Sequence, residues 1–292
     1  GEGLAAGAGA GEPAECSGRR EAGQCRAAPV LMARECPGAC EEDLVATALR
    51  GRALLPAAVP RIEVEELARL APEAVLLGDG FGGRTRPFSP SELLGGITPQ
   101  VAARWAVRQP RDDKRQEGAV SWAWSLIRAA KRVKTLTEEL FNLTQELSFD
   151  FVHLTCRKRD AGVPATGNDS HPVHADNCYP RGAECVRGSP MYHWRSHSAI
   201  LALNGRSDGA FNGGDFFYTP EWGSAQRTRV TPKAGQLEAF TAGPENIHGV
   251  EAVTRGVRCQ LSVWFTEDAA QAGHQQELAK AEEVLRRHEA GE

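Results

Sequence analysis

The stretch that decides the fold runs from residue 171 to residue 266. It begins with His-Pro-Val-His-Ala-Asp-Asn-Cys (residues 171–178), and Asn-Ile-His-Gly-Val (residues 246–250) follows some seventy residues later. Ten residues after the last of these histidines, Arg258 opens the segment Arg-Cys-Gln-Leu-Ser-Val-Trp-Phe-Thr. Two histidines and an aspartate in this arrangement indicate a metal site, and the arginine indicates a strand that binds an anion.

His174, Asp176 and His248 form the predicted metal site. Side chains at positions i and i+2 of a β-strand point to the same face, so His174 and Asp176 can reach one ion while Ala175 points away. A histidine from a distant strand completes a triangular face. Two imidazoles and a carboxylate suit non-haem iron(II) and leave positions open for a bidentate keto acid and O2, whereas structural zinc sites are closed, usually with sulfur. The alternative is unrelated surface histidines, since the chain has eight.

The segment that begins at Arg258 alternates like a β-strand with one polar-lined face. One face comprises Cys259, Leu261, Val263 and Phe265, and the other comprises Arg258, Gln260, Ser262 and Trp264. A guanidinium pairs with a carboxylate through two parallel hydrogen bonds and keeps its charge when buried. Arg258 is therefore predicted to point into a barrel and to hold the far carboxylate of 2-oxoglutarate.

Several segments resemble the catalytic domain of the prolyl 3-hydroxylase (leprecan) family. They are Phe-Val-His-Leu-Thr-Cys-Arg (151–157), the metal-site motif at 171–178, Gly-Gly-Asp-Phe-Phe-Tyr-Thr (213–219) and Glu-Asn-Ile-His-Gly-Val-Glu-Ala-Val-Thr-Arg-Gly-Val-Arg-Cys (245–259). Gly-Asp-Gly-Phe-Gly-Gly-Arg-Thr-Arg-Pro-Phe-Ser-Pro (78–90) is similar to the segment that precedes this domain in the family. The resemblance covers roughly residues 76 to 268, with a poorly matching interval from about 99 to 148.

The resemblance implies a double-stranded β-helix and an iron(II)- and 2-oxoglutarate-dependent dioxygenase. It assigns the iron to His174, Asp176 and His248 and the 2-oxoglutarate to Arg258, and these four residues form the expected catalytic set. The expected cofactors are iron(II), 2-oxoglutarate as co-substrate and L-ascorbate. The expected reaction uses O2 to hydroxylate prolyl residues, by 3-hydroxylation, in a collagen-like or proline-rich protein, and it releases succinate and CO2.

Other functions stay open at this point. Nothing in the iron site distinguishes a peptidyl lysyl hydroxylase or a prolyl 4-hydroxylase-type enzyme. A non-catalytic leprecan-like scaffold of a collagen-modifying complex is a further alternative, although the presence of all four site residues favours catalysis. Two departures from the family pattern would reshape the mouth of the site. Residues 195–198 are Arg-Ser-His-Ser where the family usually has Arg-Asp-Tyr-Ser, and residues 204–212 form a longer segment than its usual acidic turn.

Composition excludes some classes of function. The chain has 292 residues, a length typical of about two domains. Its 41% hydrophobic and 25% charged content is ordinary for a globular protein. The net charge of −4 gives no electrostatic case for binding nucleic acid. No apolar run approaches the roughly 20 residues of a membrane span.

The cysteines are expected to form disulfides in an oxidising compartment. They are Cys16, Cys25, Cys36, Cys40, Cys156, Cys178, Cys185 and Cys259. The alternative is a zinc knuckle for the first four and buried free thiols for the last four. The cysteines and the resemblance together predict the endoplasmic reticulum lumen or the secretory pathway, although the last residues are not a Lys-Asp-Glu-Leu type of retention signal. There, Asn168 in Asn-Asp-Ser is the candidate glycosylation site.

The predicted fold class is α+β. A double-stranded β-helix (jelly roll) is expected, with an N-terminal helical region packed on it and a C-terminal helix. Residues 1–40 are predicted to be a Gly/Ala- and Cys-rich, largely disordered segment and residues 41–148 a mostly helical support region. Residues 149–267 are predicted to form the iron(II)/2-oxoglutarate dioxygenase domain, and residues 268–292 the C-terminal helix.

Hydrophobic periodicity predicts the individual elements. The clearest helix covers residues 118–147, with a break near Thr135, and shorter helices cover 42–50 and 63–70. Ala-Val-Leu-Leu (74–77) is predicted to be a short strand. The strands of the β-domain are predicted at 149–157, 174–176, 199–203, 215–219, 229–231, 236–241 and 258–266.

Overall fold

The chain builds two antiparallel sheets that face each other. The computed structural model describes residue 16 and residues 51–55, 57–76, 92–110, 113–160, 169–182, 184–188 and 192–292. Within these ranges the strands are β1 (Arg52–Leu55), β2 (Leu93–Ile97), β3 (Ser148–Arg159), β4 (His171–His174), β5 (Tyr179–Arg181), β6 (Glu184–Val186), β7 (Arg195–Ala202), β8 (Phe211–Gly213), β9 (Phe216–Tyr218), β10 (Thr228–Val230), β11 (Leu237–Thr241), β12 (His248–Val250) and β13 (Val253–Thr266). The helices there are α1 (Arg61–Leu76), α2 (Pro99–Val107), α3 (Asp113–Phe141) and α4 (Gly273–Glu289).

The sheet topology is that of a double-stranded β-helix. The major sheet has the order β1-β11-β7-β13-β3-β2, with β8 added beside β13, and the minor sheet has the order β10-β9-β12-β4. Following the chain, β3, β7, β11 and β13 lie in the major sheet, and β4, β9, β10 and β12 lie in the minor sheet between them. The predicted α+β fold class with a jelly-roll barrel is therefore confirmed.

Strand β13 separates the hydrophobic core from the barrel interior. It pairs with β3 along one edge and with β7 along the other. Its apolar residues Cys259, Leu261, Val263 and Phe265 are buried in the main core cluster, together with residues of all the described helices. Because successive side chains alternate, Arg258, Gln260, Ser262 and Trp264 point to the opposite face, towards the minor sheet. The predicted alternation thus places the polar face inside the barrel.

Helices cover the outer face of the major sheet. On α3, Trp122 is fully buried, and its indole nitrogen donates a hydrogen bond of 2.9 Å to the carbonyl of Leu67 on α1. On α4, the side chains of Leu278, Ala281 and Leu285 are buried against the same core. None of the helices in the described ranges is long and apolar enough to cross a bilayer.

Some predicted element boundaries are wrong. Residues 74–76 continue helix α1 instead of forming a strand, because Ala74 and Val75 pack into the core beneath the major sheet. Helix α3 passes Thr135 without a break, and the Thr135 hydroxyl donates a hydrogen bond to the Lys131 carbonyl. The helix ends at Phe141 rather than at residue 147. The next residue, Asn142, takes a left-handed conformation with φ 51°. The predicted helix at 42–50 lies outside the described residues.

The short strands β1 and β2, which lie in the predicted helical region, were not anticipated. They occupy the two edges of the major sheet. The hairpin β5–β6 and the strand β8 were also absent from the prediction.

Disulfides join the strands near the site. Cys156 on β3 pairs with Cys259 on β13, and Cys178 pairs with Cys185 across the β5–β6 hairpin, so the alternative of free thiols is wrong for these four. Cys16 is also disulfide-bonded and buried, as expected. The remaining predicted modification sites, Cys25, Cys36, Cys40 and Asn168, lie outside the described residues.

A hydrogen bond between the two sheets lies inside the barrel. The Tyr218 hydroxyl on β9 donates to Glu238 on β11 at 2.7 Å, and the Arg52 guanidinium lies 3.7 Å from the centre of the Tyr218 ring. Burial raises the pKa of the Glu238 carboxyl to about 7, although the Tyr218 hydrogen bond and Arg52 oppose this rise. A carboxyl whose pKa is higher in the folded chain than in the unfolded chain destabilises the fold as the pH rises through that pKa.

Removing the long-range disulfide should cost more stability than removing the short one. Cys156 and Cys259 are 103 residues apart and Cys178 and Cys185 are 7 apart, and the loop-entropy relation gives about 2 kcal/mol more for the longer loop. Chemical denaturation of Cys156→Ala/Cys259→Ala should therefore show the larger loss of unfolding free energy, with Cys178→Ala/Cys185→Ala as the matched control. Equal losses in the two variants would contradict this account.

Glu238→Gln should change the pH dependence of stability. Wild type is expected to lose unfolding free energy relative to the variant as the pH rises from 5 to 8, by up to about 3 kcal/mol. The amide keeps the contact with Tyr218 without a charge. Denaturant titrations at each pH give the difference, and the exposed Glu221→Gln serves as a control that keeps the wild-type slope. If the difference in unfolding free energy between variant and wild type stays constant across this range, Glu238 is not the source of the pH dependence.

Candidate metal and co-substrate site

His174 and His248 are brought together by strand pairing in the minor sheet. They are register partners on β4 and β12, and their ring centres are 4.3 Å apart. Asp176 arrives differently from the prediction, because β4 ends at His174 and Asp176 lies in the following bend. The backbone N–H groups of Asp176 and Asn177 both donate to the Ala242 carbonyl at 3.1 Å, which fixes that bend. The i, i+2 argument therefore predicted two side chains that do lie close together, although a turn rather than a strand positions the carboxylate.

The three side chains converge on one point. His174 Nε2 lies 3.5 Å from Asp176 Oδ1, and His248 Nε2 lies 3.8 Å from Asp176 Oδ2. Asp176 and His248 are buried, and His174 is partly exposed. Within the described part of the chain, this is the cluster of histidine, cysteine and carboxylate groups whose ligand atoms all lie within 4.8 Å of one another. One carboxylate and two imidazoles on one side of a shared point form the donor set of a facial iron(II) site.

The ring nitrogens of both histidines are oriented for metal binding. His174 Nδ1 lies 2.8 Å from the Pro172 carbonyl oxygen, and His248 Nδ1 lies 2.8 Å from the Asn246 carbonyl oxygen. A carbonyl oxygen only accepts, so each Nδ1 carries the proton and each Nε2 presents its lone pair to the cluster. Metal-binding histidines are held in their tautomer by this kind of backbone contact.

The charge states also match those of ligands. Burial, with His174 alongside, lowers the pKa of the His248 imidazole to about 4. Burial alone would raise the pKa of the Asp176 carboxyl, but His248 and His174 hold it far below its ordinary value. At neutral pH the cluster therefore contains a neutral imidazole at His248 and an ionised carboxylate at Asp176, the forms that bind a metal.

Ser198 is a site residue that the sequence reasoning missed. Its hydroxyl on β7 donates a hydrogen bond of 2.6 Å to Asp176 Oδ2, so the carboxylate is held from the major sheet. Strand alternation from Arg258 did not reveal this contact, but the Arg-Ser-His-Ser segment contained the residue. In that segment, His197 points to the outer face, where its ring centre lies 4.9 Å from that of Phe141. His197 therefore faces away from the metal ligands.

Arg258 lies inside the barrel as predicted, on the major sheet. It is 3% exposed, and one guanidinium nitrogen donates to Gln260, whose amide donates in turn to Ser262. Its Nε has no hydrogen-bond partner. Burial, and next the charge of Arg157, lower the pKa of the guanidinium to about 9. Gly214 with φ +69° makes room for this side chain, since a β-carbon there would lie 3.0 Å from Arg258 Cδ. A buried guanidinium with an unused donor fits a carboxylate ligand.

Comparisons with known proteins agree with this geometry. The model of the 2OG-Fe(II) oxygenase superfamily matches residues 162–266, which include the four predicted site residues. Prolyl 3-hydroxylase 2 of Gallus gallus is 34% identical over 239 residues, 80% of this chain and 32% of that protein. Prolyl 3-hydroxylase 1 of Homo sapiens is 37% identical over 222 residues, 74% of this chain and 28% of that protein. This chain is similar to the prolyl 3-hydroxylases over about three quarters of its length.

The chain spans about a third of the length of these curated relatives. A solved structure of a Pseudomonas putida prolyl-4-hydroxylase aligns with a TM-score of 0.44 and 18% identity, over 76% of this chain and 95% of that one. The expected resemblance is confirmed, and iron(II) and 2-oxoglutarate are the cofactors that define the matched superfamily. The roles of the individual residues remain predictions, and so do the domain boundaries.

Ser198→Ala should weaken metal binding without unfolding the protein. Removing a hydrogen bond to a metal-binding carboxylate typically costs about 10- to 100-fold in metal affinity. Titration of the metal-free protein with Mn(II), followed by electron paramagnetic resonance, gives the dissociation constant. Ser125→Ala is the matched control, because Ser125 is a buried serine on α3 that contacts Arg128. An unchanged affinity in Ser198→Ala would show that Asp176 is positioned by its bend alone.

Proposed function

We propose that this chain is the catalytic domain of an iron(II)- and 2-oxoglutarate-dependent dioxygenase that hydroxylates prolyl residues in a peptide. The observation that carries this proposal is the convergence of His174, Asp176 and His248, with both Nε2 lone pairs directed at one point. The finer proposal is 3-hydroxylation of a collagen-like or proline-rich protein, and it rests on the similarity to the prolyl 3-hydroxylases.

The protein side chains bind and orient the reactants. His174, Asp176 and His248 would hold the iron through two imidazoles and one carboxylate. Arg258 holds the far carboxylate of the keto acid, so that the reacting end is directed at the metal. When bound, iron(II) and 2-oxoglutarate supply the oxidation by O2 that yields succinate, CO2 and the hydroxylated residue. No protein general base is required for this reaction.

Aromatic packing excludes water from one side of the metal site. The ring centre of His248 lies 4.7 Å from that of Phe240 and 5.1 Å from that of Phe216. These phenylalanines belong to a small buried cluster between the sheets, together with Tyr218 and Val250. A site closed on this side keeps reactive species from solvent and strengthens the electrostatic contacts inside it.

A second set of aromatic side chains, Tyr192 and Trp264, favours a proline-rich substrate. The Arg195 guanidinium lies 3.9 Å from the centre of the Tyr192 ring and 4.9 Å from that of the Trp264 ring. Trp264 is the register partner of Ser198, which contacts Asp176, so this group is near the metal ligands. Tyr192 is 42% exposed and offers a ring to the solvent. Aromatic surfaces are the usual partners of extended proline-rich segments.

The cellular setting is part of the proposal. The disulfides fit an oxidising compartment such as the endoplasmic reticulum lumen or the secretory pathway. L-ascorbate is the expected reductant for iron that oxidises without productive turnover. The proposed partners are O2 and a peptidyl-proline substrate, with no nucleic acid.

The deciding experiment measures succinate formed from 2-oxoglutarate in the presence of iron(II) and ascorbate. The peptides are a Gly-Pro-Pro repeat, a proline-rich sequence and a lysine-containing collagen-like sequence, each analysed by mass spectrometry. Peptide-stimulated succinate with one added oxygen on proline supports the proposal, and hydroxyproline standards fix the ring position. Addition to lysine supports the lysyl alternative. Absence of iron binding supports the scaffold alternative.

Two substitutions should affect this assay differently. His248→Ala should abolish turnover, because it removes a ligand, and should leave the fold intact by circular dichroism. Arg258→Ala should raise the apparent KM for 2-oxoglutarate by at least about tenfold with a smaller effect on kcat, because it removes binding that is largely uniform along the reaction. His288→Ala on α4 is the control. Wild-type kinetics in either site variant would show that the site is assigned wrongly.

A further inference from the structure

Arg157 stands directly beside Arg258. The two residues are register partners on the neighbouring strands β3 and β13, so their side chains leave the major sheet on the same face. Both are buried, with 6% exposure for Arg157 and 3% for Arg258. The adjacent pair, Cys156 and Cys259, is a disulfide and fixes this register. Like charges directly opposite each other destabilise a sheet unless something offsets them.

The nearby carboxylates offset only part of this charge. Glu92 Oε2 lies 3.9 Å from Arg157, whose Nη1 also donates to the Ser170 carbonyl at 2.7 Å. The other Glu92 oxygen accepts hydrogen bonds from the Ser170 hydroxyl and the Val253 backbone N–H. Arg258 makes no ion pair within the described residues, and the side chain to which it donates a hydrogen bond, Gln260, is neutral.

A third arginine increases the excess of positive charge at this end of the barrel. Arg159 follows on the same face of β3 and is 2% exposed, and none of its three guanidinium nitrogens has a hydrogen-bond partner. Among the described residues, the ion pair of these three arginines is the one between Arg157 and Glu92, at 3.9 Å. A buried charge is costly unless it is paired. This end of the barrel is therefore built to receive an anion.

We infer that Arg157 is a second binding residue for the far carboxylate of 2-oxoglutarate, and that two adjacent guanidinium groups select a dicarboxylic keto acid. This inference rests on the proposed function and adds a specificity residue to it. Arg258 contributes a free donor, and Arg157 contributes a second positive charge at the same end of the pocket. Glu92 and Ser170 hold Arg157 in place and moderate that charge.

The alternative is a purely structural role for Arg157, in an ion pair with Glu92. Under that alternative, loss of Arg157 would lower the stability of the fold and would weaken the binding of all keto acids alike. Under the inference, only ligands with a far carboxylate lose affinity when Arg157 is replaced. The two accounts also differ for Glu92→Gln, which keeps the hydrogen bonds to Ser170 and Val253 but removes the negative charge. The inference requires tighter 2-oxoglutarate binding in this variant, whereas a structural role gives no gain.

The test is isothermal titration calorimetry on the Zn(II)-loaded chain with two ligands, 2-oxoglutarate and 2-oxopentanoate. The second has the same carbon chain without the far carboxylate. Arg157→Gln should raise the Kd for 2-oxoglutarate by about 10- to 100-fold and leave that for 2-oxopentanoate within a few-fold. Arg157→Lys should retain most of the affinity. Lys158→Gln is the charge-matched control, since Lys158 is the next residue, half exposed, on the other face.

Each outcome decides between the accounts. If Arg157→Gln misfolds, the charge-balanced Glu92→Gln/Arg157→Gln replaces it and should show the same selective loss. Unchanged binding of 2-oxoglutarate, or an equal loss for both ligands, overturns the inference and leaves the proposed function standing. Failure of the wild-type chain to bind 2-oxoglutarate overturns the proposed function as well.

Discussion

The barrel interior has to hold ionised groups away from water, and most of the architecture serves that requirement. Asp176 keeps its charge because two imidazoles and the Ser198 hydroxyl surround it. Arg157 keeps its charge through Glu92 and a backbone carbonyl. These contacts come from both sheets, so the spacing between the sheets is fixed by polar groups as well as by packing. A buried carboxylate without such partners would shift its pKa upwards and become neutral.

The division of labour between the sheets follows from this requirement. The minor sheet and the bend after it supply the candidate metal ligands, and the major sheet supplies the arginines for an anion. A ligand with a metal-binding end and a carboxylate end therefore has to bridge the two sheets. The hydrogen bonds Ser198–Asp176 and Tyr218–Glu238 cross the same gap. The orientation of a keto acid in the barrel is thus set by which sheet contributes which residue.

Sequence reasoning succeeded where the signal was local. The alternation after Arg258 predicted a strand with a polar inner face, and the two-residue spacing of His174 and Asp176 predicted side chains that lie close together. It failed where an element depends on distant partners. The strand β1 has only four residues and exists because β11 offers a free edge. Likewise, the short apolar run Ala-Val-Leu-Leu (74–77) suggested a strand, but packing against the core beneath the sheet keeps Ala74 and Val75 helical.

Contacts across strands explain why Ser198, Arg157 and Glu92 escaped notice. Ser198 is 22 residues from Asp176, and Glu92 is 78 residues from Ser170, so no spacing along the chain reveals either contact. Register is the missing information, because it decides that Arg157 faces Arg258 rather than the core. The same register places His197 on the outer face beside Phe141. A departure from a family motif therefore matters for the site only when its position in the register faces inward, as Ser198 does and His197 does not.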